Sequence, residues 1–164
     1  IYKNGIIIGR VSTIRPTENI LSTHYNTLSK LNCILASIEA NKLKYDEGIM
    51  NDPHGYISTC NSTNLFFIKK GQVWTSTGEF CLNGITRSKA IKVCHMNKIP
   101  CNETNFTFED IKDCEEAFVT GTFAGIIPVS KIEKHKLSST NSNSLVNKIR
   151  TSYNKYINQY ISSQ

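Results

Sequence analysis

No apolar run in the chain approaches the roughly 18 residues that a membrane-spanning helix needs, and no charged-then-apolar segment of signal-peptide form opens it. Both absences predict a soluble, cytoplasmic protein with no membrane partner. Blocks of five or more like charges are also missing, although 19 Lys and Arg against 13 Asp and Glu leave a formal net charge of +6. The lysines are isolated, with no basic patch interleaved with aromatics and no nucleic-acid motif, so nucleic acid is not expected as a partner. The six cysteines, at positions 33, 60, 81, 94, 101 and 114, include no Cys-x-x-Cys pair, and several sit inside apolar patterns. A chain of 164 residues needs no covalent staples, so they read as buried free thiols. The four histidines, at 24, 54, 95 and 135, have no carboxylate or cysteine at ligand spacing, and no metal site is expected. Internal repeats and a Ser/His/Asp set are lacking as well. The sequons at Asn61, Asn102 and Asn105 are what chance supplies in so Asn-rich a chain.

The length and the 39% hydrophobic content suffice for one compact domain. Ile1 to Val11 reads as a strand that Arg15-Pro-Thr-Glu breaks. With no initiator methionine, residues 1–25 are expected to be a linker or edge strand following a front domain, and residues 26–164 the domain proper. Leu28, Leu31, Leu35 and Ile38 recur at helical spacing within Thr27 to Leu43. Asp46 to Asn51, the turn Asp52-Pro-His-Gly55 and Tyr56 to Thr59 form one hairpin signal. Asn64 to Lys69, Lys70-Gly71 and Gln72 to Thr75 form a second. A helix is expected from Thr86 to Asn97, and a short one from the box-like Thr107-Phe-Glu-Asp110 to about Cys114. Ser138 to Ser144 reads as a polar or mobile loop. An amphipathic helix carrying Leu145, Ile149, Tyr153, Ile157 and Tyr160 closes the chain.

Two short stretches carry chemistry. Leu82-Asn-Gly-Ile-Thr-Arg87 leads into a helix, so backbone N–H groups near Gly84 to Thr86 are free, with a hydroxyl beside them, as a phosphate would require. An ordinary helix cap with Thr86 at or near the N-cap is the plainer reading. Thr120-Gly-Thr-Phe-Ala-Gly125, between the strand-like runs Glu116 to Thr120 and Ile126 to Val129, is a second loop of small residues and hydroxyls, and two such loops converging suggest an anion cradle.

The ordered set of an amphipathic helix, an Asp-Glu strand, "DPHGYIS", "NLFFIKKGQVWT", "GITR" and "VTGTFAGIIPV" resembles the C-terminal large domain of the class IV aminotransferases. That group includes branched-chain and D-amino-acid aminotransferases and aminodeoxychorismate lyase. The resemblance runs from about Asn26 to Arg150. It implies an α+β fold, the D-amino-acid aminotransferase-like C-terminal domain, with a mixed, strongly curved, barrel-like sheet packed with helices. It implies pyridoxal 5'-phosphate as cofactor, with Gly84, Ile85, Thr86 and Thr122 holding the phosphate. It also implies an amino acid and a keto acid as substrates, transamination through a Schiff base, and a homodimer of the full-length protein. Lyase chemistry of the aminodeoxychorismate lyase type, and a noncatalytic relative that keeps the fold as a phosphate-binding or interaction module, stand as alternatives.

At two positions the sequence departs from the family pattern. The cofactor lysine falls on Asn26, which has no amine to offer, and the glutamate that pairs with the pyridinium nitrogen falls on Thr59. Lys30 is four residues beyond Asn26, on nearly the same face of a helix and about 6 Å along its axis, within a lysine's reach. Taken alone, Lys30 reads as a solvated helix residue; within the family three readings remain open: the Schiff-base lysine, a noncatalytic cofactor contact, or a register in which the family lysine falls elsewhere. In the first role a half-buried amine would lose its proton readily. A hydroxyl at Thr59 leaves the pyridine nitrogen without an acid partner and makes the ring a weaker electron sink.

Overall fold

The computed structural model describes residues 1–162. In chain order the elements are β1 (Ile6–Arg10), α1 (Leu31–Lys42), β2 (Glu47–Asn51), β3 (Ile57–Cys60), β4 (Asn64–Lys69), β5 (Gln72–Thr75), α2 (Ile85–Met96), β6 (Cys101–Glu103), β7 (Glu116–Gly121), β8 (Gly125–Ile132), β9 (His135–Lys136) and α3 (Leu145–Ser162). All nine strands belong to one mixed sheet of order β3-β2-β1-β8-β7-β4-β5-β6, with β9 paired to β8. Parallel neighbours need a crossover, and there are two of the helical kind: α1 carries the chain from β1 to β2, and α2 from β5 to β6.

The central strands bury both faces. Along β4, Leu65 and Phe67 join one apolar cluster while Phe66 and Ile68 join another, as the two-residue period of a strand demands. On β7 Ala117 and Val119 part from Phe118 in the same way, and Phe66 stacks on Phe118 with centroids 4.7 Å apart. The first cluster fills the concave side. The sheet curls around it until its ends meet: Ile57 N–H of β3 donates to Phe106 O just beyond β6 at 2.8 Å, and Ser76 Oγ beyond β5 donates to Ser58 O at 2.6 Å. The second cluster lies under α2 and α3, whereas a small third one joins Val11 and Met50 to Ala36 and Ala40 of α1.

The two hairpins read from the sequence are present, with Phe66 opposite Thr75 and Met50 opposite Thr59. All six cysteines are free thiols. Several expectations are corrected. β1 is no edge strand: it lies between β2 and β8, parallel to both. The helix expected from Thr27 begins only at Leu31, because Leu28 is fully exposed and no side chain caps the start. At Thr107 the box-like contacts do form, the Asp110 carboxylate accepting from Thr107 N–H at 2.7 Å and Oγ1 at 2.8 Å, but only turns follow. The serine-rich run is a cap rather than a mobile linker. Ser144 Oγ accepts from Asn147 N–H at 3.1 Å at the start of α3, and buried Ser139 accepts from Ala117 N–H at 2.8 Å.

Candidate active site

A cavity of about 710 Å³ opens where the segment before α1, the β3–β4 loop and the β7–β8 turn converge. Lys30, Thr59 and Thr122, singled out from separate parts of the sequence, all line it, and Asn26 does too. Gly84, Ile85 and Thr86 do not line it directly. They stand behind Asn64 and Leu82, which do: Asn64 Nδ2 donates to Leu82 O at 2.9 Å, and a Cβ on Gly84 would come within 2.6 Å of Asn64 Oδ1. The close approach of Gly84 to Asn64 thus depends on its having no side chain.

The start of α2 has the form of an anion site. Gly84 is the N-cap, so Thr86 sits near the cap, one place inside the helix's first residue. No side chain caps this end and its first turn carries no carboxylate, which leaves the first-turn N–H groups without intrahelical partners. Arg87 anchors the turn from below. It is buried, with Nη2 donating to Ser76 O at 2.6 Å and pairing with Glu103 at 2.7 Å. Across the cavity, Gly121 pairs with Gly125 and closes the tight turn that presents Thr122; Gly125 has φ +66°, where a side chain would be strained. Tyr2 Oη donates to Ala124 O at 2.7 Å and steadies this turn.

The other end of the cavity is built differently. Asn26 to Lys30 is irregular and exposed, so Asn26 and Lys30 do not share a helix face, and the reach argument fails in its helical form. Lys30 is the N-cap residue of α1, and both residues nevertheless line the same space. The half-burial expected of Lys30 is absent: its side chain is exposed at the rim of the cavity. Thr59 is buried and gives its hydroxyl proton to Thr63 O at 2.7 Å, leaving only lone pairs to offer. Burial, aided by the neighbouring Glu47 carboxylate, pushes the adjacent Cys60 thiol well up, so Cys60 stays protonated.

Two charged groups of the cavity carried no signal in the sequence, because each comes from its own segment. Arg15 donates from Nη1 to Cys33 Sγ at 2.9 Å and from Nε to Phe80 O at 3.1 Å. Glu47 is the carboxylate of the lining, and it organises the β3–β4 loop by accepting from Ser62 and, at 3.0 Å, from Thr63 Oγ1. Ser22 Oγ and Asn32 Oδ1, both on lining residues, are buried without partners. Buried polar atoms left unsatisfied suit a space that holds a polar ligand or water.

The model of the amino-transferase class IV family matches residues 6–132. The chain belongs to that family. Among curated relatives it is 31% identical over 159 residues to branched-chain-amino-acid aminotransferase-like protein 2 of Arabidopsis thaliana, covering 94% of this chain and 28% of that protein. It is 30% identical over 152 residues to a branched-chain-amino-acid aminotransferase of Pseudomonas aeruginosa, covering 92% and 50%. A solved aminotransferase from Brucella abortus bound to the co-factor PLP superposes with a TM-score of 0.88 at 24% identity, covering 95% of this chain and 55% of that one, a likeness of fold. The chain thus spans half or less of the length of these two curated relatives.

Class IV aminotransferases use pyridoxal 5'-phosphate, and the lining residues fit its chemistry. A threonine-bearing turn on the cavity wall, with an uncapped helix start behind it, suits the phosphate, unsatisfied polar atoms suit the ring substituents, and Lys30 is an amine in the same lining.

Proposed function

We propose that this chain is the cofactor-binding large domain of a two-domain, pyridoxal-phosphate-dependent class IV aminotransferase. Its substrates would be an amino acid and a keto acid, with branched-chain side chains favoured by the names of its relatives. The observation that carries the reading is the convergence of Lys30, Thr59 and Thr122 on one cavity backed by the uncapped start of α2.

When bound, the cofactor supplies an aldehyde and an electron-accepting ring. Thr122 on the cavity wall, with the first-turn N–H groups of α2 and the Thr86 hydroxyl behind Asn64 and Leu82, would hold the phosphate, while Asn64 and Arg87 fix the helix start in place. Lys30 would hold its amine within the cofactor's space and could carry a proton to or from the substrate's α-carbon. Thr59, its own proton committed to Thr63 O, would offer the ring nitrogen only lone pairs and cannot hold a proton there as a carboxylate does. That favours slow transamination. The exposed apolar side chains Leu28, Leu31 and Ile34 support a homodimer of the full-length protein, and six free thiols support a cytoplasmic setting.

Borohydride reduction of the cofactor-loaded full-length protein should label Lys30 selectively, and Lys30→Ala should lose the label while keeping noncovalent cofactor binding. Thr86→Val and Thr122→Val should each remove about 1.5–3 kcal/mol of charged hydrogen bonding, weakening cofactor affinity roughly ten- to a hundredfold in a titration. Unchanged affinity in both variants overturns the phosphate cradle. Label spread over surface lysines, or absent with cofactor bound, overturns Lys30 and leaves a protein that holds the cofactor without covalent use.

A further inference from the structure

The lining of the cavity holds two cationic side chains, Lys30 and Arg15, and the proposed reaction uses only the first. Arg15 is half-buried, and no ion pair among the described residues includes it. Glu47, the carboxylate of the same lining, is committed to Ser62 and Thr63, and the buried Arg87 has Glu103 for a partner. A guanidinium keeps its charge, so drawing one part-way out of water without a counter-ion is costly unless an anion joins it.

Arg15 is also held still. Its backbone N–H donates to Asn51 O at 2.8 Å, Nε to Phe80 O at 3.1 Å and Nη1 to Cys33 Sγ at 2.9 Å, which fixes the plane of the guanidinium between β2, the Phe80 segment and α1. Nη2 is left without a protein partner among the described residues, yet it is not sealed away as Arg87 Nε is. The orphaned polar atoms of the lining stand on the same wall. Asn32 Nδ2 donates at 2.7 Å to the carbonyl of Ile14, the residue before Arg15, and leaves Oδ1 buried without a partner. Thr23 Oγ1 donates at 3.3 Å to Glu79 O, one residue before the carbonyl that holds Arg15, and the neighbouring Ser22 Oγ is buried without a partner.

We infer that Arg15, with the Ser22 hydroxyl near it, is the carboxylate subsite of this cavity, and that it takes the carboxylate of the amino or keto acid. A planar fork with Nη2 and the second N–H of Nη1 free matches the two oxygens of a carboxylate, and a fork already fixed loses little freedom on binding. The phosphate already has Thr122 and the start of α2, whereas the carboxylate that every such substrate carries has no other cation assigned to it. The name of the ligand rests on the aminotransferase reading; the subsite itself rests on the geometry of Arg15.

Cys33, bonded to Nη1, reports on the subsite. Iodoacetate and iodoacetamide deliver the same carbon to a thiol and differ in charge, so both are applied to the full-length protein free of cofactor, and the labelled peptides are counted. The preference for iodoacetate at Cys33 should exceed that at Cys101, a half-buried thiol on β6, by about tenfold, and Arg15→Gln should erase the excess. Arg15→Lys, which keeps the charge without the fork, should retain part of it. Isovalerate should shield Cys33 from iodoacetamide in the native protein, and isovaleramide should not. Cofactor affinity of Arg15→Gln, measured by titration, should be unchanged. Equal preference at the two thiols, no shielding by isovalerate, or equal shielding by its amide overturns the assignment, and a tenfold loss of cofactor affinity in Arg15→Gln overturns it in favour of the phosphate. Failure of the full-length protein to take up pyridoxal phosphate would instead sink the aminotransferase reading, and the alkylation arm, run without cofactor, still decides the subsite.

Discussion

The two crossover helices have the same length, 12 residues each, and both begin near the cavity, yet they are held in opposite ways. α2 buries Thr86, Arg87, Ala90, Ile91, Val93 and Cys94 against the sheet and α3. Only Ala36 and Ala40 of α1 are buried, and Leu31, Ile34, Leu35 and Ile38 are between 46% and 67% exposed. The amphipathic stripe that the sequence shows on α1 is therefore not core in this chain. What faces the sheet is its small-residue side: Ala36 and Ala40 pack with Val11 and Met50, and Gly48 allows the close approach, since a Cβ there would come within 3.2 Å of Ala36 O. On the proposed reading of the site, the contrast separates its two tasks: the phosphate end would rest on a helix locked by burial, and the amine end on one bound lightly.

The largest break in this comparison is expected at Arg87. Arg87→Leu removes the bond to Ser76 O and the pair with Glu103; as Glu103 is half exposed, the loss should be about 3 kcal/mol, at the lower end for a broken buried pair. A denaturant titration checks it, and an unchanged midpoint would show that α2 does not depend on this anchor. Next come paired variants of α1. Ala36→Leu should overpack the contact with Val11 and Met50 and cost about 1–3 kcal/mol, whereas Leu35→Gln, on the exposed stripe, should stay within about 0.5 kcal/mol in the same titration. Equal costs at the two positions would mean that the stripe packs after all.

The smallest expected effect is one of pH. Burial alone would raise the Glu39 carboxyl, but it is held below its ordinary value of 4.5 by bonds from Ser12 N–H and Oγ, at 2.6 and 2.9 Å, and from Thr13. A lowered carboxyl contributes its stability in full above the unfolded value and loses it as pH falls through the folded one. The tie between α1 and the end of β1 should therefore weaken below pH 4.5, by less than about 1 kcal/mol for so accessible a group. Glu39→Gln should flatten that part of the acid limb in a pH series of thermal melts.

Local signals were read well from the sequence. The β4–β5 hairpin needs only its strand alternation and its Lys70-Gly71 turn, and α2 begins within one residue of its expected start. What escaped depends on distant partners. The serine run from Ser138 becomes a cap only because Ala117 N–H and the Glu116 carboxylate meet it there, 20 or more residues back along the chain. The late start of α1 follows from Leu28 having nothing to pack on. Of the residues singled out for the site, Thr59, Thr122 and Lys30 line the cavity, and Gly84, Ile85 and Thr86 lie behind its wall. Arg15 and Glu47 were not, since no spacing links residues that only the curled sheet brings together.

The central position of β1 has a consequence for how the protein is made. β1 ends at Arg10, and one of its two flanking strands, β8, begins only at Gly125, with Ile6 opposite Val129. On the ribosome the hairpins β2–β3 and β4–β5 can zip as they emerge, but the isoleucine-rich β1 must keep one edge unpaired until most of the chain has followed. Closing so long a loop delays the gain from the contacts it brings, so folding is expected to be slow. A nascent chain paused before β8 is a natural client for chaperones.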